Sequence, residues 1–160
     1  MVWRKKTFLG GVVVAILAVY PVQETVAPEW HINVTDDSAV PLAGIKITEV
    51  WQDYTVERSS HEDDRSTDDR GHVLFARRTI RAPFIRRAYG AVRNIASQGA
   101  HASFGPHAYL VIDYPGGYGN NDAHEFGQNE AHWSGGSKVV YQSLILHRCK
   151  NGRSGIVCMQ

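Results

Sequence analysis

The chain has 160 residues and a mass of 17.8 kDa, a length that favours one domain over two. Its 43% hydrophobic and 21% charged residues are ordinary for a globular protein and exclude an intrinsically disordered chain. The 17 basic and 16 acidic residues nearly cancel, which excludes a strongly basic nucleic-acid-binding protein and a polyacidic one. We therefore expect no nucleic-acid partner.

The first element in chain order is an apolar segment with a basic start at residues 4–6. The apolar run from Phe8 to Val22 is shorter than the roughly 20 residues of a membrane-spanning helix, and it is typical of a secretory signal peptide. We predict that residues 1–27 are a signal peptide, with small residues at 25–27 for cleavage. The alternatives are an uncleaved membrane anchor, which would be the only membrane contact, and a buried helix. The protein is then exported, and residues 28–160 form its domain.

Five later segments alternate apolar and polar residues or are rich in β-branched and aromatic ones, as strands are. These predicted strands cover residues 30–36, 42–56, 72–77, 107–114 and 137–148. Residues 80–95 contain Pro83 and Gly90 and predict one or two short strands. Residues 58–71 predict a polar turn, and residues 115–136 predict a long glycine-rich loop. No window of ten residues follows a helical period, so we expect an all-β sandwich.

Cys149 and Cys158 are the two cysteines of the chain. They bracket a segment with two glycines and an asparagine, which predicts a turn that brings the two cysteines together. An exported protein favours a disulfide between them, and closing this short loop stabilises a fold by roughly 2–3 kcal/mol in the chain-entropy description. The alternative is a redox or metal-binding pair, but the spacing matches neither a CxxC motif nor a zinc knuckle.

One pattern in the first half of the chain resembles a known family. The sequence V-T-D at residues 34–36 is followed by V-P-L-A-G-I-K-I at residues 40–47 and by S-T-D-D-R-G-H-V-L-F at residues 66–75. This pattern resembles the carboxypeptidase regulatory-like domains, which have a prealbumin-like (transthyretin-like) fold. The resemblance implies a Greek-key β-sandwich of about seven strands. It also implies a non-catalytic module of the kind proposed to support folding, adhesion or carbohydrate binding in secreted and cell-surface proteins.

The sequence contains no catalytic motif, so we expect a protein that is not an enzyme, uses no cofactor, and binds a protein or glycan at the cell envelope. Aromatic side chains in the glycine-rich loop are candidates for stacking on a sugar or on a partner protein, and Tyr118 and Trp133 are the best placed.

A cluster of arginines at residues 77–93 is the most unusual local feature. If Arg77, Arg86 and Arg87 share one face of paired strands, they could bind a carboxylate or phosphate group with two hydrogen bonds each. The alternative is a solvated strand edge whose charges discourage aggregation.

Histidines supply the competing enzyme hypothesis, a metal-dependent hydrolase. His101, His107, His124 and His132 lie in or beside the predicted loop. Several of them would have to converge at about 2.1 Å from one metal ion. Their spacing matches no rigid metal-binding motif, so we expect solvated side chains rather than a metal site.

Overall fold

The computed structural model describes residues 15–113, 118–119 and 131–149. In these residues ten strands form two four-stranded sheets and one two-stranded sheet. The strands are β1 (Pro21–Ala27), β2 (Glu29–Asp36), β3 (Lys46–Asp53), β4 (His61–Ser66), β5 (His72–Phe75), β6 (Arg78–Pro83), β7 (Pro106–Asp113), β8 (Tyr118–Gly119), β9 (Ala131–Trp133) and β10 (Val139–Arg148). Helix α1 (Phe84–Gln98) and a 3-10 turn (Gly99–His101) lie between β6 and β7.

The two larger sheets pack face to face around one hydrophobic core. Their strand orders are β5-β2-β10-β8 and β4-β3-β7-β9. Strands β2 and β10 run parallel, and the other neighbours are antiparallel. Alternate residues of β2, namely Trp30, Ile32 and Val34, are buried in the same cluster as Ile47 of β3 and Leu110 of β7. This inward alternation confirms the predicted β-sandwich.

The motif that resembles the carboxypeptidase regulatory-like domains holds two loops together. The Thr67 hydroxyl donates a hydrogen bond to the Leu42 carbonyl at 2.6 Å and accepts one from the Ile45 N–H at 3.0 Å. Gly71 has a φ of 74°, and a Cβ atom there would lie 2.4 Å from the Val34 carbonyl oxygen. These threonine and glycine residues are therefore required by the turn geometry.

The small sheet carries the N-terminal segment and the helix. Strands β1 and β6 pair antiparallel, with Pro21 opposite Pro83, so the chain enters β1 beside the point where it leaves β6 for α1. Residues 15–19 are helical, and Ile16 and Leu17 are exposed, which does not support the buried-helix alternative. Within the described ranges, no helix reaches the length and apolarity required to span a bilayer.

Three predictions about secondary structure were wrong. Residues 84–98 form a helix rather than strands, because Pro83 ends β6 in an extended conformation and Gly90 is accommodated inside the helix. The charged segment His61–Ser66 is the edge strand β4 rather than part of a turn. The predicted loop contains strands β8 and β9, because both pair with longer strands of the sandwich.

The predicted disulfide has one partner in the described part of the chain. Cys149 is buried directly after β10, whereas Cys158 lies outside the described residues. The pairing therefore stays a prediction.

Candidate functional site

The loop after β3 is built around the side chain of Asp53, which is fully buried. Asp53 Oδ1 accepts hydrogen bonds from the N–H and the hydroxyl of Thr55 at 2.9 and 2.6 Å. The Asp53 carbonyl accepts the N–H groups of Val56 and Glu57, and the Asp53 N–H donates to the Glu57 carboxylate at 2.8 Å. An aspartate that folds the next four residues around itself is a common turn builder.

Helix α1 docks on this loop through its polar side. Arg87 Nη1 donates to Asp53 Oδ2 at 2.8 Å, and Asn94 Nδ2 donates to the Tyr54 carbonyl at 2.5 Å and to the Ser103 carbonyl at 3.1 Å. Between them lies Gly90, where a Cβ atom would be only 1.7 Å from the Thr55 carbonyl oxygen. Glycine is therefore needed for this close approach between helix and loop.

The gap that remains between the loop and α1 is a cleft. It consists of two adjoining depressions of about 360 and 450 Å³. Both are lined by Glu57, Arg58 and Arg93. One extends past Arg86 and Tyr89, and the other is bordered by further polar side chains, namely Gln52, Tyr54, Asn94, Ser97 and Gln98.

The cleft is positively charged. Arg58, Arg86 and Arg93 contribute three guanidinium groups, and within the described ranges none of them forms an ion pair. Among the described residues, Arg86 donates only to the Val56 carbonyl at 3.3 Å and Arg93 only to the Asn94 side chain at 3.3 Å. Glu57 is the one acidic lining residue, and its carboxylate is occupied by the His61 ring at 2.8 Å as well as by the Asp53 N–H.

A partly buried ionic network around Arg78 has a different character. Arg78 contacts Glu49 at 3.5 Å and forms an ion pair with Asp63, while its guanidinium lies 4.7 Å from the centre of the Trp51 ring. Burial raises the pKa of Glu49 to about 7, against the opposing effect of Arg78. The network joins β3, β4 and β6, and Glu49 Oε1 is buried without a hydrogen-bond partner among the described residues.

The predicted arginine site is divided by the structure. Arg86 lines the cleft, but Arg87 points inward and pairs with Asp53 and Glu24. Arg77 is exposed between β5 and β6 and does not line the cleft. The prediction of a shared face assumed that the arginines lie on paired strands. Arg86 and Arg87 are instead neighbours on a helix, so their side chains point in different directions.

The predicted aromatic contacts also differ from each other. Trp133 lies in β9 and is buried in the core, where its indole N–H donates to the Ser137 carbonyl at 2.9 Å. It is therefore placed as a core residue and not at a loop tip. Tyr118 lies in β8, packs partly against the core, and its hydroxyl accepts a hydrogen bond from Arg148 at 3.2 Å.

The histidine candidates come together only in part. The rings of His107 and His132 lie 5.7 Å apart between centroids, since β7 and β9 are neighbours. His101 is exposed in the 3-10 turn, and His124 lies outside the described residues. In the described part of the chain, no group of three or more potential metal ligands is found.

Two cleft residues, Arg58 and Tyr89, were not predicted as site residues. Arg58 follows the loop built by Asp53, and Tyr89 becomes a neighbour only when α1 docks on that loop. A helical period over residues 84–98 would have placed Arg86, Tyr89 and Arg93 at spacings of three and four, which is the one available sequence signal.

Comparisons with known proteins show no family. No family model matches the chain, and no curated protein matches it. A shaft pilin of Lactobacillus rhamnosus GG is similar in structure with a TM-score of 0.40 and 14% identity, covering 78% of this chain and 48% of the pilin. A 9R-lipoxygenase from Cyanothece has a TM-score of 0.34 and 13% identity, covering 91% of this chain and 24% of the lipoxygenase. The chain thus spans about half of the pilin. The β-sandwich assignment rests on the strand pairing of the chain itself.

Proposed function

We propose that this protein is a non-catalytic, exported β-sandwich module that binds an anionic ligand in the cleft between α1 and the loop after β3. The carboxylate, sulfate or phosphate groups of an acidic envelope glycan are the ligand chemistry that fits. The proposal rests on three guanidinium groups, from Arg58, Arg86 and Arg93, that line the cleft and have no acidic partner among the described residues.

The chemistry of arginine supports this choice of ligand. A guanidinium group donates two parallel hydrogen bonds to a carboxylate or a phosphate. Hydrogen bonds to charged groups contribute about 1.5–3 kcal/mol each.

The wider identity belongs to the same proposal. The resemblance of residues 34–75 to the carboxypeptidase regulatory-like domains supports a non-catalytic module, since members of that family are generally proposed to support folding, adhesion or carbohydrate binding. Thr67 and Gly71 of this motif hold the turn together. The basic and apolar start of the chain supports export. An adhesive or structural role at the cell envelope is consistent with a β-sandwich that presents the cleft at its surface.

The experiment is a thermal-shift panel on the full chain. The probes are polygalacturonate as an acidic glycan, dextran as its neutral counterpart, and Zn²⁺ and Ca²⁺ as divalent metals. We expect polygalacturonate to raise the melting temperature, since a ligand at 100 times its dissociation constant adds about 2.7 kcal/mol. Added salt should weaken the shift, because exposed charges are screened. A shift with dextran that equals the polygalacturonate shift would contradict the proposal, and a shift with a metal alone would favour the histidine hypothesis instead.

A further inference from the structure

Helix α1 presents its apolar side to solvent. Five large apolar residues are each more than half exposed, and they occur at helical spacing along the outer side: Phe84, Ile85, Tyr89, Val92 and Ile95. The buried residues of the helix are instead Gly90 and Asn94. A helix that belongs to a globular core has the opposite arrangement, and contiguous exposed apolar patches mark interaction surfaces.

Specific contacts hold the helix in this orientation. Arg87, Gly90 and Asn94 lie on one side, three and four residues apart, and all three contact the loop after β3. Only glycine fits against the Thr55 carbonyl oxygen, so another side of the helix cannot replace this one. The apolar side therefore faces outward as a consequence of the fold, and it needs a partner.

The N-terminal apolar segment reaches the structure at the same place. Residues Phe8 to Val22 are the apolar run of the sequence, and in their described part Ile16, Leu17 and Val19 are more than half exposed. This run ends at β1, whose Pro21 is paired with Pro83, the residue directly before α1. The two exposed apolar segments thus start from one end of the small sheet.

The charge of α1 identifies the chemistry of the partner. The helix contains no aspartate or glutamate, and two of its three arginines, Arg86 and Arg93, form no ion pair within the described ranges, whereas Arg87 is paired with Asp53 and Glu24. An amphipathic helix with an apolar side and a basic polar side binds the interface of a bilayer that contains anionic lipids. A second copy of the same helix would bring arginines of equal charge together, which disfavours that partner.

We propose that α1 is an interfacial membrane helix, which lies on an anionic lipid bilayer with its apolar side in the headgroup and acyl-chain boundary. Residues 15–19, the described helical part of the N-terminal apolar segment, enter the same membrane beside it. The sandwich is then held against the bilayer surface at two adjacent points. This inference goes beyond the anionic ligand of the cleft and does not depend on it.

The test uses two tryptophan variants of the full chain, because the N-terminal segment alone could hold the protein on vesicles. Val92→Trp places a reporter on the apolar side of α1, and Ile145→Trp is the matched control, since Ile145 is an equally exposed apolar residue on β10. The vesicles contain phosphatidylcholine with about one-third phosphatidylglycerol, with and without bromine on the acyl chains. The signal is the emission that each variant adds to that of the wild-type protein.

We expect brominated lipids to quench about half or more of the emission added by Val92→Trp, because an interfacial helix lies roughly 5–10 Å deep. The emission added by Ile145→Trp should remain. A further Ile85→Glu change, introduced into Val92→Trp, should weaken the helix–bilayer contact about tenfold and restore the emission. Circular dichroism of each variant confirms that it is folded.

Three results would overturn the proposal. Equal quenching of both reporters would show lipid contact without preference for α1. Emission of Val92→Trp that is already shifted to the blue without lipid and depends on protein concentration would show a second copy on the helix. The same shift without concentration dependence, and without quenching, would show that the N-terminal segment of the chain covers α1.

Discussion

Because α1 packs closely on the loop after β3, we predict that Gly90→Ala changes the stability of the protein in the direction opposite to that expected from helix propensity. Alanine is more favourable than glycine in a helix by about 1 kcal/mol, so propensity alone predicts that Gly90→Ala stabilises the protein. The structure predicts the opposite, because the new Cβ atom would lie 1.7 Å from the Thr55 carbonyl oxygen and 2.7 Å from its carbonyl carbon. Neither backbone atom can move without moving the loop.

The size of the effect follows from what must shift. Forcing an extra methyl group into a packed contact costs roughly 1–3 kcal/mol. If the helix moves away instead, the two hydrogen bonds of Asn94 are weakened, at about 1 kcal/mol each. After the gain in propensity of about 1 kcal/mol, we expect Gly90→Ala to lower the free energy of unfolding by about 1 kcal/mol, and by up to about 2 kcal/mol if the contact cannot relax.

Urea titration measures this change through the emission of the buried Trp30 and Trp133. The matched control is Ala88→Gly, the reverse change at an exposed position of the same helix, which should lose about 1 kcal/mol from propensity alone. If Gly90→Ala gains as much stability as Ala88→Gly loses, α1 does not dock through Gly90, and both the cleft and the outward apolar side lose their basis.

Three further predictions concern the interior and the turns. Burial raises the pKa of Glu49 to about 7 despite Arg78, so the folded state binds a proton more tightly than the unfolded state, in which the pKa of glutamate is about 4.3. The contribution of Glu49 to the free energy of unfolding is therefore fully present at low pH. It falls by on the order of 3 kcal/mol as the pH rises through 7. Urea titrations at about pH 5 and about pH 8 should show this fall in the wild type and not in Glu49→Gln, and an equal fall in both would contradict it. Thr67→Val removes two hydrogen bonds from a buried hydroxyl and should lower the free energy of unfolding by about 2 kcal/mol, whereas an unchanged urea midpoint would show that the turn does not need them. Gly71→Ala should be more destabilising than Gly44→Ala in the same assay, because both have φ near 74° but only Gly71 has a backbone atom in the way; equal losses would mean that the close contact is relieved.

The strands of the core could be predicted from the sequence because one of their faces is buried. Trp30, Ile32 and Val34 alternate with polar residues in β2, and this period of two is the direct consequence of a one-sided core. The edge strand β4 has no such signal. Its six residues are mostly exposed on both faces. Its charged side chains are typical of a turn in the sequence, but in the structure they protect a sheet edge from pairing with another chain.

Helix α1 was missed for a different physical reason. In the structure its large apolar residues are exposed along one side of the helix, but Pro83 and Gly90 in this segment favoured short strands. The glycine that argues against a helix in isolation is required here by the close approach to Thr55. Tertiary contacts therefore determine the secondary structure of a segment whose local preferences are mixed.

The cleft could not be predicted because its walls are far apart in the sequence. Arg58 belongs to the loop that Asp53 folds, and Arg93 belongs to the second half of α1. Their proximity depends on the contacts of Asp53, Gly90 and Asn94. The sequence indicated an arginine-rich segment, but it did not indicate that Arg87 pairs with carboxylates inside the protein whereas Arg86 lines the cleft.

The affinity of a double variant tests whether the cleft arginines bind anionic groups. Isothermal titration calorimetry with polygalacturonate compares the wild type with Arg58→Gln/Arg93→Gln and with Arg70→Gln/Arg77→Gln, which removes the same charge from exposed positions outside the cleft. We expect the cleft variant to raise the dissociation constant by at least about tenfold, since each lost charge-assisted hydrogen bond contributes about 1.5–3 kcal/mol, and the control variant to change it by less than about threefold. Equal losses in both variants would show that binding follows net charge alone, and it would contradict the cleft as the binding site.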